Sequence, residues 1–89
     1  MKVLAIGRMK GKDIAPHIPA EQKAVAELRA AGLVEEVFLK ADATGPVLLL
    51  TDATAAEAHE RLKALPFVQE DLVAFDYIEL SGLPRGDHR

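Results

Sequence analysis

The run from Val47 to Leu80 leaves this chain few folds to choose from. Val47-Leu48-Leu49-Leu50 is apolar at every position, the pattern of a strand covered on both faces. A helix is announced at once by Thr54, with Glu57 three residues on. In that capping box the Thr hydroxyl accepts the Glu backbone N–H and the Glu carboxylate reaches back to the Thr N–H. Ala55, Ala58, Leu62 and Leu65 then recur at three- and four-residue steps and predict one buried stripe. Pro66 is expected to stop the helix, because its ring and missing N–H cannot continue the ladder. Residues 67 to 71 read as a connection, and Leu72 to Leu80 as a second strand. Its Val73, Phe75 and Tyr77 share one face, and Leu72, Ala74, Asp76, Ile78 and Leu80 share the other.

The first half repeats that order. Lys2 to Met9 predicts a strand with Val3, Leu4, Ala5 and Ile6 apolar on both faces of the pleat. Asp13 is placed to cap a short turn through Ile14 to Pro16. A helix is expected from Pro19 to Ala31, ended by Gly32 in a left-handed cap. Leu33 to Ala41 predicts the next strand, and Asp42-Ala43-Thr44-Gly45-Pro46 a turn that returns the chain as a hairpin. The order is strand, helix, strand, strand, helix, strand, with Val3 and Val47 opening halves about 44 residues apart. This is the α+β split βαβ, or ferredoxin-like, arrangement, a four-stranded antiparallel sheet with both helices on one face. Residues 1 to 82 make one such domain and 83 to 89 a C-terminal tail.

Two helices cover one face of a four-stranded sheet. A sheet with a wet second face alternates apolar and polar residues, whereas strands one, three and four are apolar on both sides. A second copy, meeting sheet to sheet about a twofold axis, is the expected cover. Size points the same way. Eighty-nine residues bury only about 60–65% of their unfolded surface, and with no Cys there is neither a disulfide nor a thiolate metal site to help. A net charge of −3 with mixed signs argues against a nucleic-acid surface, and no apolar stretch is long enough for a membrane span or a signal peptide. These features point to a cytoplasmic protein.

The run His59-x-x-Leu62-x-x-Leu65-Pro66, followed by a strand ending in Leu80-Ser81-Gly82-Leu83, resembles the muconolactone isomerase family. The stretches MKVLAIGR and IPAEQKAVAELRAAGLVEEVFLKAD are similar to small relatives of that family. The resemblance implies a dimeric α/β barrel, in which the split βαβ domain pairs through its sheet as a homodimer. It also implies a small organic ligand, no cofactor, and an isomerase or lyase acting on a small lactone or an oxygenated aromatic-derived acid. The family's second strand is rich in Trp and Arg. Here that strand carries Glu35, Glu36 and Phe38, and the chain has no Trp. Other functions on this superfold are a cofactor-independent monooxygenase and a non-catalytic ligand-binding or assembly module.

The chemistry-bearing residues are few. His17 precedes the first helix and Glu21 follows four residues later, one turn along, where it can orient the imidazole for acid–base work. The plain alternative is a surface His and a first-turn Glu that favours the helix dipole. Tyr77 is the third catalytic candidate, as a proton donor. Arg8 ends strand one beside strand four, so it meets either an acidic ligand group or Asp76. Glu35 and Glu36 face apart in a regular strand, so one of them, taken as Glu36, is expected to be enclosed with a raised pKa. His59 flanks the buried stripe of helix two and completes the binding set with Arg8 and Glu36. His17 and His59 lack metal-ligand spacing, and His88 lies in the tail. No Gly-rich phosphate loop, dinucleotide fingerprint or nucleophile elbow is present, and Ser81 is the only Ser.

Overall fold

A computed structural model describes residues 2–81. The strands are β1 (Lys2–Met9), β2 (Val34–Leu39), β3 (Pro46–Thr51) and β4 (Val73–Leu80). The helices are α1 (Ile18–Ala30), α2 (Ala55–Leu62) and the short α3 (Pro66–Gln69), with a 3-10 turn at Ala15–His17. The sheet order is β2-β3-β1-β4, antiparallel throughout, which is the ferredoxin-like α+β topology. Residues 82 and 83–89, the end of the expected domain and its tail, lie outside the described residues.

Local chemistry sets each boundary. The Ala15 N–H donates to Asp13 Oδ1 at 3.1 Å and opens the 3-10 turn. At the end of α1, the Gly32 N–H bonds the Arg29 carbonyl and the Leu33 N–H bonds the Leu28 carbonyl, both at 3.0 Å. Gly32 takes φ +83°, so this is a Schellman cap. The capping box of α2 is complete. Glu57 N–H donates to Thr54 Oγ1 at 3.2 Å, and Thr54 N–H donates to Glu57 Oε1 at 2.9 Å. Glu79 of β4 takes a third orphan donor, the Ala55 N–H, at 2.7 Å.

Pro66 acts differently from the sequence expectation. α2 ends at Leu62, and Pro66 begins α3 instead of ending α2. Leu65 is extended at ψ 138°, the conformation that a following proline imposes. Residues expected to be a plain connection therefore form a helical turn, and it places Phe67 beside α1.

The core lies between the sheet and the helices. Val3 and Ala5 of β1, Leu48 and Leu50 of β3, and Val34 of β2 pack against Ala58, Leu62 and Leu65. Phe75 and Tyr77 join this cluster, so they face the helices. By register, Leu4, Ile6, Phe38, Val47, Leu49, Ala74, Ile78 and Leu80 occupy the opposite face, which no helix of the described residues covers. Phe38 is 51% exposed and Ile78 47%. The expectation that the strands are apolar on both faces holds. Phe75 and Tyr77 are not part of that opposite face, because both are on the core side.

Candidate functional site

α1 covers its part of the sheet loosely. His17, Glu21, Ala24, Val25 and Leu28 are half-buried at helical spacing, yet none of the 13 helical residues is fully buried. Ala24, Val25 and Leu28 pack against the core cluster, but they do not fill all the space between the helix and strands β2 and β3. The space left is a gap of about 370 Å³, within the size range of small-molecule sites. Its floor is Val37, Pro46 and Leu48 of β2 and β3, its end wall Phe67 and Phe75, and its roof Val25 and Ala26 of α1. Three polar side chains join this apolar lining: Glu21, Gln22 and Arg29, all from α1.

Glu21 is the chemically distinctive group. Its Oε1 accepts the Phe67 backbone N–H at 2.9 Å, which ties α1 to the first turn of α3. Burial pushes the carboxyl pKa up from its ordinary value, and the Phe67 hydrogen bond offsets this only in part. A half-buried carboxylate facing apolar space, with a raised pKa, has the character of a general base.

The other sequence candidates do not gather around it. His17 sits on the N-terminal turn before α1, with its backbone N–H on the Ile14 carbonyl at 2.9 Å. It is not among the residues lining the gap, and Glu21 bonds Phe67, not the imidazole. Tyr77 packs against the core from the middle of β4, where burial raises its pKa. His59 on α2 meets it edge-to-face, ring centroids 5.9 Å apart, so these two make an aromatic contact away from the gap.

Arg8 and Glu36 lie on the uncovered face, on the far side of the sheet from Tyr77 and the gap. Arg8 pairs with Ala74 in the register while Ala5 pairs with Tyr77, which puts the two side chains on opposite faces. Arg8 Nη1 is 3.5 Å from Asp76 Oδ2, the ion pair weighed as its alternative role. Neither Glu35 nor Glu36 is enclosed, contrary to the expectation for one of them. The register slips between Val34 and Glu36, a bulge that breaks the alternation on which the expectation rested. Glu35 instead reaches Lys2 in an exposed ion pair.

Sequence reasoning missed Gln22, Arg29, Phe67 and Phe75 as lining residues. The signal for Arg29 was present: Glu21, Val25 and Arg29 stand at i, i+4 and i+8 on one side of α1. Phe67 gave no such signal, because its place depends on the turn that Pro66 starts. A second hollow of about 320 Å³ lies where Leu33 meets Ala53 and Ala56. Its Glu57 is bound in the cap of α2 and its Glu60 is paired with Lys63 at 2.8 Å, so those acids are already engaged. No group of three or more potential metal ligands occurs among the described residues. No helix of the described residues is long and apolar enough to cross a membrane.

No protein-family model and no curated protein matches the chain. Among solved structures, the chain is similar to 5-chloro-2-hydroxyhydroquinone dehydrochlorinase from Burkholderia phenoliruptrix, in complex with 2,5-dihydroxybenzoquinone. The two superpose with a TM-score of 0.69 at 18% identity, covering 91% of this chain and 94% of the other. At that identity the likeness shows a shared fold, and it spans nearly the whole of both chains.

Proposed function

We propose that the chain is a cofactor-free small-molecule enzyme, an isomerase or lyase whose reaction starts with proton removal by Glu21 in the gap under α1. The observation that carries this is a half-buried carboxylate with a raised pKa at the wall of an apolar space of about 370 Å³. One Glu21 oxygen is held by Phe67, which fixes the group and leaves the other to take a proton. Removing a proton next to a carbonyl leaves an enolate. Return of the proton at another carbon completes an isomerisation, and departure of a leaving group completes an elimination. Gln22, in the same lining, supplies amide donors for the developing oxyanion. The similar solved structure supports the reading, since its enzyme acts on a small hydroxylated ring. Small lactones and oxygenated aromatic acids are the substrates to try first.

Screening such compounds for thermal stabilisation identifies a ligand, because binding to the folded state alone raises the midpoint. Glu21→Gln is then expected to lower turnover by about a hundredfold or more while the ligand still stabilises the protein. His17→Ala is expected to stay within a few-fold of the parent, because the imidazole is outside the lining. Stabilisation without turnover by any compound would turn the reading toward a non-catalytic ligand-binding module. Oxygen uptake would turn it toward a cofactor-independent monooxygenase.

The assembly proposed with this activity is a homodimer joined through the uncovered sheet face. Leu4, Ile6, Val47 and Leu49 form its apolar centre, with Phe38 and Ile78 beside them. A contiguous apolar face of this kind marks an interaction surface. The ion pairs Lys2–Glu35 and Arg8–Asp76 sit toward opposite ends of the same face, where a polar rim belongs.

A further inference from the structure

The gap has a direction, set by the two charges of α1. Glu21 and Arg29 both line it, eight residues apart, which is about 12 Å along the helix axis. Between them the roof is Val25 and Ala26, and beneath are Val37, Pro46 and Leu48. The two charges are not partners. Glu21 is engaged by Phe67, and its raised pKa has no contribution from a nearby cation. Arg29, like Lys23, Lys40 and Arg61, makes no ion pair among the described residues, and of these four it alone lines the gap. Arg29 is exposed at the rim, so its guanidinium stays hydrated until something anionic arrives.

The geometry points to Arg29 as the specificity-determining residue of this site, holding the anionic end of an elongated, otherwise apolar ligand whose other end reaches Glu21. This inference rests on the gap being the ligand site, as proposed above. A guanidinium presents parallel N–H donors that match a carboxylate or a sulfonate. The apolar walls take a ring or chain between the two ends and exclude water from it. An anion at the rim avoids the cost of burying charge, and it also keeps like charge away from Glu21. The site therefore selects acids over their neutral counterparts, and extended acids over compact ones that cannot span about 12 Å.

Two dyes that differ by one sulfonate test this. The probes are 8-anilinonaphthalene-1-sulfonate, an apolar anion, and N-phenyl-1-naphthylamine, its neutral counterpart, each titrated by fluorescence. Arg29→Gln is expected to weaken the sulfonate dye by roughly tenfold, as befits one charge-assisted contact at a wet rim, and to leave the neutral dye unchanged. Arg29→Lys should recover part of the loss. Equal affinity of the sulfonate dye for parent and Arg29→Gln would overturn the role of Arg29. An equal loss of both dyes would overturn it too, since the effect would then be steric. Ala26→Trp, at an exposed roof position, fills the gap and is expected to expel both dyes. If both dyes bind Ala26→Trp as they bind the parent, the gap is not the ligand site. The functional proposal then fails, and this inference with it.

Discussion

The Glu21 carboxylate accepts the backbone N–H of Phe67 at 2.9 Å, 46 residues along the chain, and so fastens α1 to α3 across the end of the gap. The contact joins a structural duty to a chemical one. It holds a carboxyl group at the wall of an apolar space, and burial there makes the charged form unfavourable.

That cost fixes the sign of a pH effect. Glu21 has a folded-state pKa above its ordinary value. Below the ordinary value the carboxyl is protonated in both states, and the fold has its full stability from this group. As pH rises through the ordinary value and on to the raised one, the unfolded chain ionises first and that stability is lost. Gln at this position keeps an acceptor for the Phe67 N–H and carries no charge. Glu21→Gln is therefore expected to melt higher than the parent at pH 7, with the difference between the two narrowing as pH falls through the raised value and gone below the ordinary carboxyl value. Thermal melts of both proteins from pH 3.5 to 7.5 check this. A variant that melts lower than the parent at pH 7 would mean that the carboxylate stabilises the fold. A more stable but inactive variant is the usual exchange at a catalytic group.

The start of α2 gives a second prediction. Three of its free N–H groups are taken by side chains: Thr54 by Glu57, Glu57 by Thr54, and Ala55 by Glu79. Thr54→Ala removes one and frees the other half of the box, for a loss of about 1 kcal/mol. In a domain of this size that lowers the midpoint by roughly 4–8 °C. Loss of the Glu79 contact from β4 acts on the same helix end, so the double variant Thr54→Ala with Glu79→Gln should fall short of the summed single losses or exceed them. Strict additivity would show that the two caps are independent.

The third prediction concerns a backbone crossing. A Cβ on Gly45 would stand 2.4 Å from the Gly7 carbonyl oxygen, and one on Gly7 would stand 2.8 Å from the Pro46 carbonyl oxygen. Both obstacles are main chain, so neither can move aside as a side-chain tip would. Gly45→Ala is expected to destabilise by about 1–3 kcal/mol, as overpacking does, with the loss seen in the urea midpoint at unchanged slope. Gly11→Ala, where open space surrounds the missing Cβ but φ is +80°, separates backbone strain from steric contact. If the two variants lose equally, the close approach at Gly45 has no special weight.

How far the sequence revealed this molecule follows from what each signal depends on. Strand and helix order, the Thr54–Glu57 box and the Gly32 cap are local chemistry, and the chain carries them in adjacent residues. Glu21 was legible as a titratable group, but its partner was not, because Phe67 comes to it only through the turn begun at Pro66. Glu36 was misjudged for a related reason. Its facing depends on a bulge, and nothing in Val34-Glu35-Glu36 marks where the register slips. Arg8 and Tyr77 were rightly placed on neighbouring strands, yet their facings differ by one position in the register, which is enough to put a sheet between them.

The last prediction turns on that same division of faces. Ile78 and Phe38 lie on the uncovered side, 47% and 51% exposed, while Phe75 packs with the core. If the uncovered face is the dimer interface, Ile78→Glu and Phe38→Glu place a charge in it without touching the helix-side packing. Each is expected to give a folded monomer, with far-UV circular dichroism like the parent and half the mass by light scattering at micromolar concentration. Phe75→Glu buries a charge against the core instead, and is expected to lose cooperative unfolding. Lys2 and Arg8, exposed at the rim, should tolerate Gln with no change in mass, since exposed ion pairs contribute little. A parent protein that is monomeric, folded and soluble at that concentration would remove the sheet-to-sheet dimer. So would dimers that persist in both Ile78→Glu and Phe38→Glu, because an unpaired carboxylate is too costly to bury in a dry apolar interface.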